Sequence, residues 1–310
     1  MTCHLRKLLF IVMFVFIMPF TTHAKQLIPM GQSIGIQLKL PFVYIAHDVL
    51  LPNGEWLKQG EMVTAINGKK LSKLTTLQQL NQSVELTIEN GKQDRKLKLA
   101  ADELSNLLPF LKDETDGIGT LTFIDPESQE YGALGHQIID ATLKKPPKFK
   151  EGSIFMASIA QVKKSTPGQP GYKISVVDKS YKRLGTIANN DLYGIFGAWE
   201  QDLQHSVQRP IEIIRAQDIK LGKAQLLTAI EGNDVTAFDI EITKLDGPLL
   251  EFIVTDKMLL AKTGGILQGM SGSPIIQNES FVGAVTHMFV EKPSKGAAIS
   301  IIEMLKKTPN

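Results

Sequence analysis

The chain has 310 residues, 43% of them hydrophobic and 21% charged, with a formal charge of +2. That length and apolar content allow two compact domains and exclude collagen, coiled coil and wholesale disorder. The near-neutral balance also excludes the broad basic field that drives nucleic-acid binding.

His4, Arg6 and Lys7 precede an apolar run at residues 8–20, which is followed by Thr22, His23 and Ala24. The pattern reads as a signal peptide with cleavage after Ala24. The run is roughly 13 residues long, short of the roughly 20 that span a bilayer, and retention as an amino-terminal anchor is the alternative. The expected location is therefore exported and extracytoplasmic, with membrane association through residues 1–24. Cys3, the single cysteine, falls in this segment. The exported part then has no thiol, which excludes disulfides, cysteine zinc sites and cysteine nucleophiles.

Residues 25–101 read as a small β domain, with apolar stretches at 31–40, 42–49, 62–66 and 84–88. Asn67 and Gly68 mark a hairpin turn whose central positions need positive φ. Leucines 74, 77 and 80 follow helical spacing after Ser72. The order of these pieces resembles a PDZ domain. The resemblance implies that Ser33, Ile34, Gly35 and Ile36 form a carboxylate-binding loop for peptide termini. Glu61 stands where that family usually has Asp.

Residues 102–116 are polar and acidic and read as a linker or a short helix. Asp113, Asp116 and Gly117 lack the ligand spacing of a calcium loop, and no metal or other cofactor is expected. From residue 117 to 310 many short strands alternate with turns, which suggests a sandwich or a pair of barrels.

The sharpest chemical feature is the run 269–274, Gly-Met-Ser-Gly-Ser-Pro. Glycines on either side of Ser271 allow a tight backbone that exposes the hydroxyl, and the amides of Gly269 and Ser271 can converge on one oxygen as an oxyanion hole. A serine nucleophile needs a base and an orienting acid. Of the six histidines, His4 and His23 lie in the targeting segment, His47 in the PDZ-like region and His205 in a polar stretch. His136, after a strand and a glycine, is the favoured base, and His287 competes with it. For the acid, Asp256 is preferred to Asp140, because Asp256 ends an apolar strand shortly before the serine.

Longer words then carry a resemblance: GIGTLTF at 117–123, YGALGH at 131–136, GIFG at 194–197, Thr255 with Asp256, GGILQGMSGSP at 264–274, and residues 283–287. Together they are similar to the stage IV sporulation protein B (SpoIVB) peptidase family. The resemblance implies a mostly β chain in which the PDZ-like domain precedes a chymotrypsin-like double β-barrel serine peptidase domain. His136, Asp256 and Ser271 fall at the family's triad positions. It further implies self-processing near the amino terminus and cleavage of a membrane-tethered regulatory protein in sporulation signalling. Gly265, six residues before the serine, supplies no acidic pocket floor, so no preference for Lys or Arg is expected; Thr286 and His287 are candidate pocket residues. The rival reading is a non-catalytic secreted PDZ adaptor with a decayed barrel. A metallohydrolase lacks any HExxH-like pair.

Overall fold

The computed structural model describes residues 25–90, 94–177, 182–203 and 208–308. The expected targeting segment and His205 lie outside these residues.

Six strands close a carboxy-terminal barrel in the order Gly222–Ala229, Val235–Asp246, Leu249–Val254, Lys292–Ser300, Ser280–Phe289 and Pro274–Gln277. Their two-residue period sets the core. In Leu249–Val254 the residues Leu250, Phe252 and Val254 point inward, where they meet Leu226, Phe238, Ile240, Ile275 and Val285. The other half is built on a sheet in which Glu151–Lys163, Ser33–Ile45, Leu111–Ile124, Glu130–Ala133 and Gly194–Ala198 are successive neighbours. This sheet curls round until its ends meet: Gly185–Thr186 pairs with Glu151–Lys163, and Gly185 bridges to Trp199. Ile34, Ile36, Leu38, Leu121, Ala133 and Ile154 fill its interior. The mostly β, two-barrel expectation describes this architecture.

The amino-terminal region divides differently from the expected 25–101 domain and 102–116 linker. Residues 26–39 are integral to the first curled sheet, with Ser33 opposite Thr120 and Ile34 opposite both Gly119 and Met156. Ile34, Gly35 and Ile36 are therefore paired along both edges of their strand and Ser33 along one, and Ser33 is fully buried. A carboxylate-binding loop needs free, exposed amides, and this segment has none to offer. A separate module follows, with its own core of Val43, Val63, Leu77, Leu86, Leu97 and Leu104. Its Asn67 and Gly68 turn has φ of +48° and +74°, the mirror-image turn that the sequence demands. At the expected linker or short helix, helix Ala101–Leu107 leads into the 14-residue strand Leu111–Ile124, which returns the chain to the first sheet.

Candidate active site

The two halves meet where the His136 segment and the Ser271 loop touch. After strand Glu130–Ala133, Leu134 and Gly135 both adopt left-handed backbone, φ +76° and +67°, and swing the chain off the sheet. A Cβ on Gly135 would lie 2.6 Å from the Val285 carbonyl oxygen, so only glycine lets His136 arrive against the barrel strand Ser280–Phe289. Gly272 makes the reciprocal approach. At φ +93° its Cβ would stand 2.3 Å from Thr120 O and 2.5 Å from Leu134 N.

Thr120 joins the parts. Its amide donates to Ser271 O at 3.1 Å, its hydroxyl to Gly269 O at 2.7 Å, and its carbonyl accepts from Leu134 N at 3.2 Å. Within the serine loop Met270 N donates to Leu267 O, Gly272 N to Val285 O and Ser273 N to Met270 O. Among the described residues no acceptor meets the amides of Gly269 and Ser271. Gln268 O accepts from Lys173 N at 3.1 Å, so the Gly269 N–H of the same trans peptide points away from that strand.

Ser271 and His136 line one cavity of about 380 Å³, together with Thr286 and His287 and the apolar Leu267 and Met288. Ser271 Oγ donates to Thr286 O at 3.1 Å. His136 Nδ1 lies 2.9 Å from Gln137 O. A carbonyl can only accept, so Nδ1 carries the proton in the neutral ring and Nε2 keeps its lone pair. The Thr286 hydroxyl donates to Ala297 O at 3.1 Å, and His287 Nδ1 stands 2.9 Å from Thr286 Oγ1. His287 is thereby tethered to its neighbour.

The structure does not bring Asp256 to this cavity. It is the N-cap of helix Lys257–Thr263, and its Oδ1 accepts from Leu259 N at 2.8 Å. Asp140 is equally committed: it is buried, accepting the amides of Thr142 and Leu143 and the Thr115 hydroxyl. Asn190 fastens the residues that follow His136. Its Oδ1 accepts from Ile138 N at 2.8 Å, its Nδ2 donates to Ile138 O at 3.0 Å, and its carbonyl accepts from Gln137 Nε2 at 3.0 Å. The sequence reading missed Asn190 and Thr120. Thr120 sits inside the GIGTLTF word, but only strand pairing shows that its hydroxyl faces the serine loop. Among the described residues no cluster of metal-ligating side chains occurs.

A serine and a histidine facing one cavity where two β units meet, beside two free amides, define a serine peptidase. The chain belongs to the SpoIVB peptidase S55 family, whose model matches residues 106–305. Compared with curated proteins, the chain has no match. Among solved structures it is similar to the Rv3671c protease from M. tuberculosis in its active form, at 15% identity and a TM-score of 0.37, covering 62% of this chain and 73% of that one. The inactive form of the Rv3671c protease gives 15% identity and a TM-score of 0.36, covering 61% and 82%.

Proposed function

We propose that the chain is an exported serine endopeptidase in which Ser271 is the nucleophile and His136 the general base. The observation that carries this reading is the shared cavity of Ser271 and His136 beside the unengaged amides of Gly269 and Ser271. Ser271 Oγ exchanges its contact with Thr286 O for His136 Nε2 and attacks the peptide carbonyl carbon. The Oγ–C bond forms as the proton passes to Nε2. The carbonyl oxygen takes the negative charge and is held by the two amides. His136 then protonates the departing amine as the C–N bond breaks, and a water activated by the same Nε2 hydrolyses the ester. Gln137 O, which accepts from Nδ1, holds the ring in the productive tautomer.

Leu267 and Met288 give the cavity apolar walls that suit an uncharged side chain before the scissile bond. In this reading the substrates are the enzyme's own amino-terminal region and a membrane-tethered regulatory protein, and the setting is sporulation signalling. Support for that part is the family relationship and the sequence pattern of residues 1–24.

The test compares the full chain with Ser271→Ala for self-cleavage and for hydrolysis of casein. The alanine variant is expected to lose at least about three orders of magnitude in rate. Equal cutting by both would remove Ser271 from the mechanism, and a wild type that cuts neither itself nor casein would leave the adaptor reading. His136→Ala should match that loss, whereas His287→Ala should retain most of the rate; the reverse order would make His287 the base.

A further inference from the structure

The strand Tyr172–Val177 carries an inversion. Its alternation, Tyr-Lys-Ile-Ser-Val-Val, would bury the tyrosine, isoleucine and first valine, yet Tyr172, Ile174 and Val176 are exposed and Lys173 is buried, with 6% of its surface accessible. The register is held by Lys173 N donating to Gln268 O and Gln268 N donating to Gly171 O, a bridge from this strand to the serine loop. The Lys173 stem runs beneath Gly269, with Cδ 3.3 Å from the place a Cβ would occupy there. Its amine donates to Thr228 Oγ1 at 3.1 Å, and Ser273 Oγ donates to the same oxygen at 3.0 Å. Lys173 thus touches the loop at Gln268 and Gly269 and, through Thr228, at Ser273.

We propose that Lys173 is a positioning residue for the oxyanion loop, its main chain fixing the Gln268–Gly269 peptide and its buried amine bracing the loop from below. The inference rests on the peptidase reading and adds a residue to it. An ammonium has three donors, and here one acceptor, Thr228 Oγ1, receives it; the Ser273 hydroxyl shares that oxygen, and Gly269 lies over the lysine's aliphatic stem. No carboxylate contributes to its ionisation. Lys163, whose amine lies over the Tyr172 ring, is on the outward face. Burial lowers the Lys173 amine from the usual lysine range to about 7. Protonation below that pH calls for water or further acceptors and loosens the loop.

The experiment labels Ser271 with a fluorophosphonate probe from pH 5.5 to 8.5 in wild type and Lys173→Met, alongside steady-state cleavage of a casein-derived peptide. Wild type should lose labelling rate below pH 7 with a dependence steeper by one proton than that of Lys173→Met. Lys173→Met should fold, label at least about ten-fold more slowly at pH 8 with KM unchanged, and lack that additional proton. Thr228→Val, which keeps the lysine but removes its partner, should move the same way and replaces the methionine variant if that one does not fold. Hydrogen-exchange protection of residues 264–273 should fall between pH 8 and pH 6 in wild type and stay constant in Lys173→Met. Labelling at wild-type rate with an unchanged proton dependence, or wild-type protection that ignores pH, would overturn the assignment. A wild type that never labels at Ser271 would sink the peptidase reading instead, and the exchange measurement would still judge Lys173.

Discussion

Asp256 separates two kinds of carboxylate chemistry at one residue. As an N-cap it satisfies an amide that helix Lys257–Thr263 would otherwise leave unpaired, and it places negative charge at the helix's positive end. As a triad acid it would hold His136 Nδ1, a place taken in the structure by Gln137 O. The two roles respond differently to substitution. Asparagine caps nearly as well as aspartate but carries no charge; alanine does neither. Asp256→Asn is therefore expected to keep both stability and casein hydrolysis within a few-fold of wild type. Asp256→Ala is expected to lose about 1 kcal/mol in urea unfolding, with a proportionally small change in kcat. A fall of about 10⁴ in kcat for the asparagine variant would show that the carboxylate works on the imidazole during turnover.

At the level of elements, the site exists because one strand of the first sheet grips the loop of the second barrel. Thr120 belongs to Leu111–Ile124, is fully buried, and spends its hydroxyl on Gly269 O, in the peptide next to the Gly269 amide. Thr120→Val keeps the shape and β-propensity of the strand while leaving that carbonyl unpaired. It should cost about 1–3 kcal/mol in stability, and kcat should fall with KM nearly unchanged because the loop is held less firmly. Wild-type kcat in the folded variant would mean that the main-chain bond from Thr120 N is sufficient. What the sequence made legible here follows the range of the physics. Local devices were readable: the Asn67 and Gly68 turn, the glycines round Ser271, and the glycine before His136. Pairings across long sequence separations were not. Residues 33–36 have the glycine and alternation of several structures, and only bonding to Thr120 and Met156 strands makes them a two-sided interior strand. Asp256 likewise combines two local signals, since the aspartate that ends an apolar strand also opens the short helix that Gly264 closes with φ +73°.

For the whole molecule, two buried ionisable groups set opposite ends of the pH–stability curve. Burial raises the Asp125 carboxyl, but the Lys25 amine at 2.9 Å and the amides of Glu127 and Ser128 outweigh it, so it ends below the usual aspartate range. A depressed carboxylate contributes stability above its unfolded value, near 3.9, that is lost as pH falls through the folded one. Lys173 acts in the other window. Its folded value is about 7 and its unfolded value near 10.5, so between these the unfolded chain binds more protons and stability rises with pH. Below about pH 7 the full cost of charging the buried amine is present, on the order of a few kcal/mol. Urea unfolding of wild type should therefore show an acid limb below about pH 4, a shelf from there to 7, and a second rise toward pH 10. Lys173→Met should keep the acid limb, exceed wild type at pH 6, and lack the second rise, because a methionine of similar length fills the site with nothing to titrate. Parallel curves for the two proteins from pH 6 to 10 would mean that water or a neighbouring group solvates the amine, and the linkage between molecular stability and the loop beneath Ser271 would disappear with it.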